Sequence, residues 1–428
     1  MINYNRFKGI FLSVGLLLLS TSLLISGCAL MNTLISLKLK SDGKTSLLIG
    51  IVAAIYFTGM LIGSLKISKL IELVGYVKSF TTLASLMAIT IILPGINDNV
   101  YVLSFCRFLQ GFSLAGLYVV IESWILCASS DNARGKTLAM YMIAIYSSYS
   151  FGQFFLLESN INTIIPFCIS TMLVTASIIP LSSFPVTPPL LEEHDSNISI
   201  KKIYNASPSG FIGCFISGIF TSSILSIFPL YAKEIAFSTQ LVSIACATTF
   251  LSGVSVQYPL GVLSDRMDRQ KLQILLNSTF ALLLTVFAFL GYSKWVNFPI
   301  LILISIIIGM FSFTIYPVSI NLVCDNVKKS EVIRTTECLA IAYGVGSIIG
   351  PIYTSSSMKF LEIYGYLVAY LILAIFLSLF TIFMYKKSRR EKQIPIQEII
   401  TPFVPYHQID PEVIPPSSKQ EVTHNKLD

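Results

Sequence analysis

Residues 298–322 read FPILILISIIIGMFSFTIYPVSINL, a run of 25 positions without one charged side chain. Coiled as an α-helix, that run is about 38 Å long, more than the roughly 30 Å of hydrocarbon in a bilayer. A soluble core has no use for so long an uninterrupted apolar helix. The rest of the chain repeats the theme. Of its 428 residues 54% are hydrophobic and 12% charged, against roughly a quarter charged in soluble domains.

Apolar segments follow one another with short polar breaks and predict helices at 9–36, 46–66, 79–95, 99–127, 137–157, 163–184, 209–232, 239–263, 272–292, 298–322, 336–358 and 364–385. The expected fold class is therefore an all-α membrane protein with twelve transmembrane helices in two pseudosymmetric six-helix halves. Its parts are a cytoplasmic N-terminus (1–8), an N-terminal half (9–184), a solvated linker (185–208), a C-terminal half (209–385) and a disordered cytoplasmic tail (386–428). The linker carries PVTPP, the acidic cluster Glu192, Glu193 and Asp195, and then Lys201 and Lys202. The tail is Pro-rich and too poor in apolar residues to fold alone.

Several function classes are excluded at this stage. The eight cysteines lie in or at the ends of apolar segments without CxxC or metal-ligand spacing, and the three histidines (His194, His407, His424) fall in the linker and the tail. No catalytic centre, metal site or cofactor is expected, and nothing points to nucleic acid. One rival concerns the N-terminus, where Arg6, Lys8, an apolar run and then Ile25-Ser26-Gly27-Cys28 imitate a lipoprotein signal. Cleavage there would leave eleven spans and an unmatched half. Cys28 reads instead as a packing residue inside the first helix, because the apolar character continues to Leu37.

An internal repeat supports the division in two. A shift of 198 residues superposes Gly111 on Gly309, Tyr118 on Tyr316, Lys136 on Arg334 and Gly152 on Gly350. Inverted or parallel repeats of this kind place a binding site at their interface near the midplane.

The loop after the eighth helix reads Gly261-Val-Leu-Ser-Asp265-Arg266-Met-Asp-Arg269-Gln-Lys271. It resembles the G-x-x-x-D-R-x-G-R-R/K signature of the major facilitator superfamily, with Asp268 where glycine is usual. The copy after the second helix is eroded to Gly75 and Lys78. The fourth helix offers Arg107-Phe-Leu-Gln110-Gly111-Phe-Ser113, similar to the superfamily's R-x-x-Q-G-x-G. The eleventh carries Gly346-Ser-Ile-Ile-Gly350-Pro351, whereas the fifth has Gly152-Gln153 where drug antiporters have Gly-Pro. Four further segments, YFTG (56–59), RFLQGFSLAGLYVVIES (107–123), FTIYPV (313–318) and YGVGSIIGP (343–351), resemble the YcaD-like branch of that superfamily. The resemblance implies a secondary transporter, with Gly261, Asp265, Arg266, Arg269, Gly350 and Pro351 as gating-loop and motif residues. Its implied partners are a small polar or amphipathic solute, protons if transport is coupled, and the lipid bilayer around a monomer. A sensor or scaffold that keeps the fold without transporting is the alternative, and the long tail suits it.

Arg107 lies about 12 Å inside the fourth helix, where a guanidinium costs roughly 2.5–3.5 kcal/mol to insert and needs a cavity or partner. Gln110, Tyr118 and Glu122 fall within about 60° of it around the helix, so one polar stripe is expected to face the interior. Arg107 is the candidate for an anionic substrate group, the alternative being that it only bonds to backbone carbonyls and polar neighbours of the adjoining helix, and Glu122 is a coupling carboxylate or an ion-pair partner of groups such as Arg134. Glu337, opening the eleventh helix, suits the helix dipole. Tyr118 and Tyr316, at matched places in the two halves, are expected to line the pore.

Of the 29 Lys and Arg residues, 22 fall on the side of the termini, 6 on the other, and Arg107 alone within a span. Reporters fused after Asp428 and inside the linker should therefore both register the cytoplasm. A signal from the far side at either fusion refutes this topology.

Overall fold

The computed structural model describes residues 2–128, 134–157, 159–183, 200–236, 238–292, 297–328 and 331–393. They form fifteen helices and, among the described residues, no strand. In order these are α1 (Ile2–Ser41), α2 (Ser46–Val74), α3 (Tyr76–Ile96), α4 (Val100–Ala128), α5 (Arg134–Phe154), α6 (Ile165–Ala176), α7 (Ile178–Ser183), α8 (Ile200–Ala206), α9 (Pro208–Ser226), α10 (Phe228–Ala236), α11 (Thr239–Arg266), α12 (Arg269–Tyr292), α13 (Phe298–Cys324), α14 (Val332–Leu361) and α15 (Tyr364–Gln393). The chain divides into two compact units, Met1–Met384 and Tyr385–Asp428. Residues 394–428, which hold most of the expected tail, lie outside the described residues.

Eleven helices, among the described residues, are long and apolar enough to cross a membrane. The span expected at 137–157 is present as α5, long enough at 21 residues but not among those eleven. Ser147, Ser148, Ser150, Gln153 and three tyrosines dilute its hydropathy. Its place explains this, because α5 lies between α1 and α11 and spends its polar groups on them. Two expected spans each comprise two consecutive helices. The sixth is α6 and α7, joined through Ser177, and the seventh is α9 and α10, joined through Ile227; both junction residues keep αR backbone angles and a bond to the carbonyl four residues back.

Three expected boundaries move. The 185–208 linker contains α8, whose fully buried Ile203 packs with Cys214, Val323 and Leu339; its residues 185–199 lie outside the described set. α15 runs on to Gln393, eight residues past the expected end, through the helix-favouring Lys386–Lys392 stretch. Helix also begins at Ile2, ahead of the expected start at 9. Cys28 is buried mid-helix in α1 against the Met87 sulfur, 3.8 Å away, as a packing residue would be.

The helix pairings of the first six spans recur in the last six. α2 packs on α4 as α11 does on α13, α3 on α4 as α12 on α13, and α1 on α5 as α9 on α14. The two sets then meet through α2 against α14 and α5 against α11, again equivalent pairs. Glycine sets these distances. A Cβ on Gly111 would strike the Tyr56 carbonyl where α4 crosses α2, and one on Gly309 would strike the Thr249 carbonyl where α13 crosses α11. Gly152 against the Ser26 carbonyl, and Gly350 against that of Ile219, do the same for α5 on α1 and α14 on α9. The repeat seen at a shift of 198 is thus a repeat of backbone-to-backbone crossings, the small-residue packing that membrane helices favour.

The signature loops have local explanations. In the eroded copy, Gly75 adopts φ 82° and both ends α2 and precedes α3, a conformation that favours glycine. In the other copy Asp268, where the family pattern has glycine, caps α12, its Oδ1 accepting from the Lys271 amide at 3.0 Å. Arg269 pairs with Asp325, and Arg266 is exposed. The side chain of Asp265 lies outside the described set. Gly261 has open space where its Cβ would be.

Gly111→Leu and Gly309→Leu should each lower the thermal melting temperature of the purified protein by many degrees, since a backbone crossing must open. Gly261→Ala, in open space, should leave it unchanged. Comparable melting of all three variants would show that the crossings are not tight.

Candidate functional site

The expected polar stripe on α4 divides into two environments. Arg107 and Gln110 form the deeper one, in a network reaching all of α1 to α4. Arg107 donates to Asn32 Oδ1 on α1 at 2.8 Å and to Gln110 Oε1 at 3.0 Å, while Gln110 donates to the Thr90 carbonyl on α3 at 2.7 Å. The guanidinium carbon lies 4.0 Å from the centre of the Tyr56 ring on α2, a cation–π contact. Arg107 is 3% exposed and Gln110 1%. Its neighbours are neutral acceptors and a ring face, and Arg107 Nε has no hydrogen-bond partner among the described residues. The network is buried and ties four helices of the N-terminal half together.

Tyr118 and Glu122, two and three turns further along α4, form the second environment. Tyr118 is half-buried, its hydroxyl 3.3 Å from that of Tyr149 on α5. Glu122 is exposed and accepts a hydrogen bond from Tyr141 of α5 at 3.2 Å. The side chain of Arg134, its expected ion-pair partner, lies outside the described set.

Aromatic contacts continue from α5 into the C-terminal half. The Tyr149 ring stacks on Phe250 of α11 with centroids 4.9 Å apart, Phe250 on Phe313 of α13 at 5.9 Å, and Tyr146 lies 4.9 Å from Phe313. Tyr316, half-buried on α13, packs against Tyr343 of α14 at 4.8 Å. The Glu122 carboxylate and the Tyr146 and Tyr343 hydroxyls are within electrostatic reach of Tyr316. Tyr118, Glu122 and Tyr316, named from sequence, therefore share one neighbourhood between the halves. Arg107 and Gln110 are set apart from it.

Sequence reading passed over Tyr146, Tyr149 and Tyr343, and the tyrosine-rich face of α5 was the signal that could have found them. Tyr56 covers Arg107, and Tyr231 stacks on Tyr366 at 4.9 Å inside the C-terminal half. Glu337 is exposed and bonded to Arg334 at 2.9 Å. Pro351 stands where the halves join, its carbonyl facing Gly50 of α2, whereas Gly350 meets α9 within the C-terminal half.

Bonds between the halves gather at the end of the molecule away from the termini. Ser36 of α1 donates to the Ser226 carbonyl of α9 at 2.6 Å, Lys40 pairs with Glu234 of α10 at 2.5 Å, and Ser150 donates to the Ala247 carbonyl at 3.1 Å. Toward the termini, the described ion pairs stay inside the C-terminal half, Lys202 with Glu331 at 2.5 Å and Arg269 with Asp325. The lysine holds the Glu331 carboxyl below the usual carboxylate range.

The model of the Major Facilitator Superfamily matches residues 17–208 and 210–413. A protein of Escherichia coli O45:K1 described as an uncharacterized MFS-type transporter, YcaD, is 31% identical over 365 residues, 84% of this chain and 91% of its own. Among solved structures, a D-xylose-proton symporter superposes with a TM-score of 0.70 at 16% identity, over 88% of this chain and 98% of its own. The nucleoside transporter NupG gives 0.69 at 14%, over 88% and 99%.

Arg107→Ala would leave Asn32 Oδ1 and Gln110 Oε1 buried without their donor, at about 1–3 kcal/mol for each orphaned acceptor. It should melt well below the wild type, and Arg107→Lys, which keeps one donor but loses the planar fork, should fall between them. Wild-type melting of Arg107→Ala would overturn this role of the network.

Proposed function

The chain belongs to the Major Facilitator Superfamily and is a multi-pass membrane transporter, and we propose that it carries a small solute across a bacterial inner membrane by alternating access, with both termini in the cytoplasm. The observation that carries this reading is the asymmetry between its two ends. The halves are bonded together away from the termini, while Glu122, Tyr118 and Tyr316 remain accessible between them. On this reading the halves part toward the cytoplasm and close toward the outside, leaving a cavity between them. Rocking about the equivalent α2–α14 and α5–α11 contacts would close it behind a bound solute and release the Ser36–Ser226 and Lys40–Glu234 bonds. Pro351, whose carbonyl faces Gly50 of α2, lies on that hinge line, and Gly350 supports it by packing α14 on α9. The exposed Arg266 and the Arg269–Asp325 pair stand at the mouth that must close.

In this scheme Glu122 is the group available for proton coupling, since it is the carboxylate between the halves and accepts a hydrogen bond from Tyr141. Lys40→Cys with Glu234→Cys, in a background without the native cysteines, should cross-link on oxidation and fix the closed outer end. A cysteine at position 122 should then label faster with a membrane-impermeant thiol reagent from the cytoplasmic face, and reduction should reverse the gain. Labelling that ignores the cross-link, or that comes from the outer face, contradicts the scheme. Once a substrate is in hand, Glu122→Gln should abolish accumulation against a gradient and preserve exchange; unchanged accumulation would remove Glu122 from coupling.

A further inference from the structure

We propose that the cavity between the halves takes an organic cation, bound by tyrosine ring faces and the Glu122 carboxylate. This deepens the alternating-access reading and rests on its cavity.

Charge decides the class. Glu122 is exposed there, and its bond among the described residues is to the neutral Tyr141. The arginine that could have reversed the sign, Arg107, is buried in its own network with Asn32, Gln110 and Tyr56. The basic groups toward the termini, Lys202, Arg269 and Arg334, have acidic partners of their own. Among the described residues, the charged group bonded to a tyrosine between the halves is the Glu122 carboxylate, so a cation is the complementary solute.

Lining chemistry narrows it further. A sugar-like solute needs several amide donors and acceptors, because buried hydroxyls must be paired. Four glutamines direct their amide NH2 groups to backbone carbonyls of the bundle: Gln110 to Thr90, Gln153 to Ala29, Gln273 to Ser209 and Gln257 to Phe313. What the cavity presents is rings. Tyr118, Tyr146, Tyr316 and Tyr343 are all half-buried and so offer surface, and Phe250 and Phe313 join the α5 tyrosines to the opposite half. Ring faces attract a weakly hydrated cation, and their apolar area suits a hydrophobic body. Two such surfaces belonging to two rigid halves can hold a bulky ion from both sides and part when the halves rock.

The test is equilibrium binding of radiolabelled tetraphenylphosphonium to the purified full-length protein, with ethidium as a second cation and tetraphenylborate as an anion of the same shape. Saturable binding displaced by ethidium and not by tetraphenylborate is expected. Glu122→Gln should weaken it roughly tenfold or more, Glu122→Asp should keep most of it, and Tyr316→Leu should weaken it while Tyr316→Phe does not. Equal competition by tetraphenylborate, or unchanged affinity in a folded Glu122→Gln protein, overturns the proposal. So does the absence of saturable binding of either cation to protein that passes the cross-linking and labelling experiment above, in which case rocking stands and the cation reading alone fails. Cation binding by protein that fails that experiment supports the site and removes the rocking.

Discussion

Hydrocarbon gives helices no reason to associate, since lipid chains satisfy leucine as well as another leucine does. What holds this bundle together is contact at short range, and short range requires that backbones touch. Gly111, Gly152, Gly309 and Gly350 make that possible at four equivalent crossings, where a carbonyl of the neighbouring helix occupies the space a side chain would need. Everything else is positioned by those crossings. Gly111 brings α4 onto α2, so that Arg107, one turn earlier, lies over the Tyr56 ring. Gly152 brings α5 onto α1, so that Tyr149 and Tyr146 project toward α11 and α13.

A division of labour follows within α4. Its deeper polar pair is consumed in holding four helices of one half as a rigid body, and its outer pair is left where the two bodies face each other. Rigid bodies are what a rocking carrier needs, because strain transmitted through a soft half would not move the far gate. The buried arginine belongs to the first task. Its cost in hydrocarbon is offset by Asn32, Gln110 and a ring face rather than by a countercharge.

The fold was legible in the sequence for plain physical reasons. Span length, the polar break near 185–208 and the 198-residue repeat are written in composition and spacing, which bilayer thickness and pseudosymmetry dictate. The site was half legible. Tyr118, Glu122 and Tyr316 could be placed by helical angle and by their matched positions, but angle alone cannot tell a buried network from a cavity wall. Arg107 and Gln110 share a stripe with Glu122, and separating them took knowledge of where α1 and α2 lie. The C-terminal signature loop misled in a smaller way: Asp268 departs from the family's glycine because that turn is made by a helix cap instead of an unusual φ. Tyr343 and the α5 tyrosines were hidden by ordinary aromatic abundance, 12% of the chain.

The polar character of α5 has a consequence for biosynthesis. A nascent helix leaves the insertion machinery sideways only if lipid is the better solvent for it. α5, with its serines, Gln153 and tyrosines, gains little from lipid, and the partners that satisfy those groups arrive at different times. α1 is already in place when α5 emerges, and Gln153 can find the Ala29 carbonyl at once. α11, which receives Ser150, is still some 90 residues from being synthesised. The fifth span therefore enters the bilayer as a ward of the first, and waits on the ribosome for the helix that completes it.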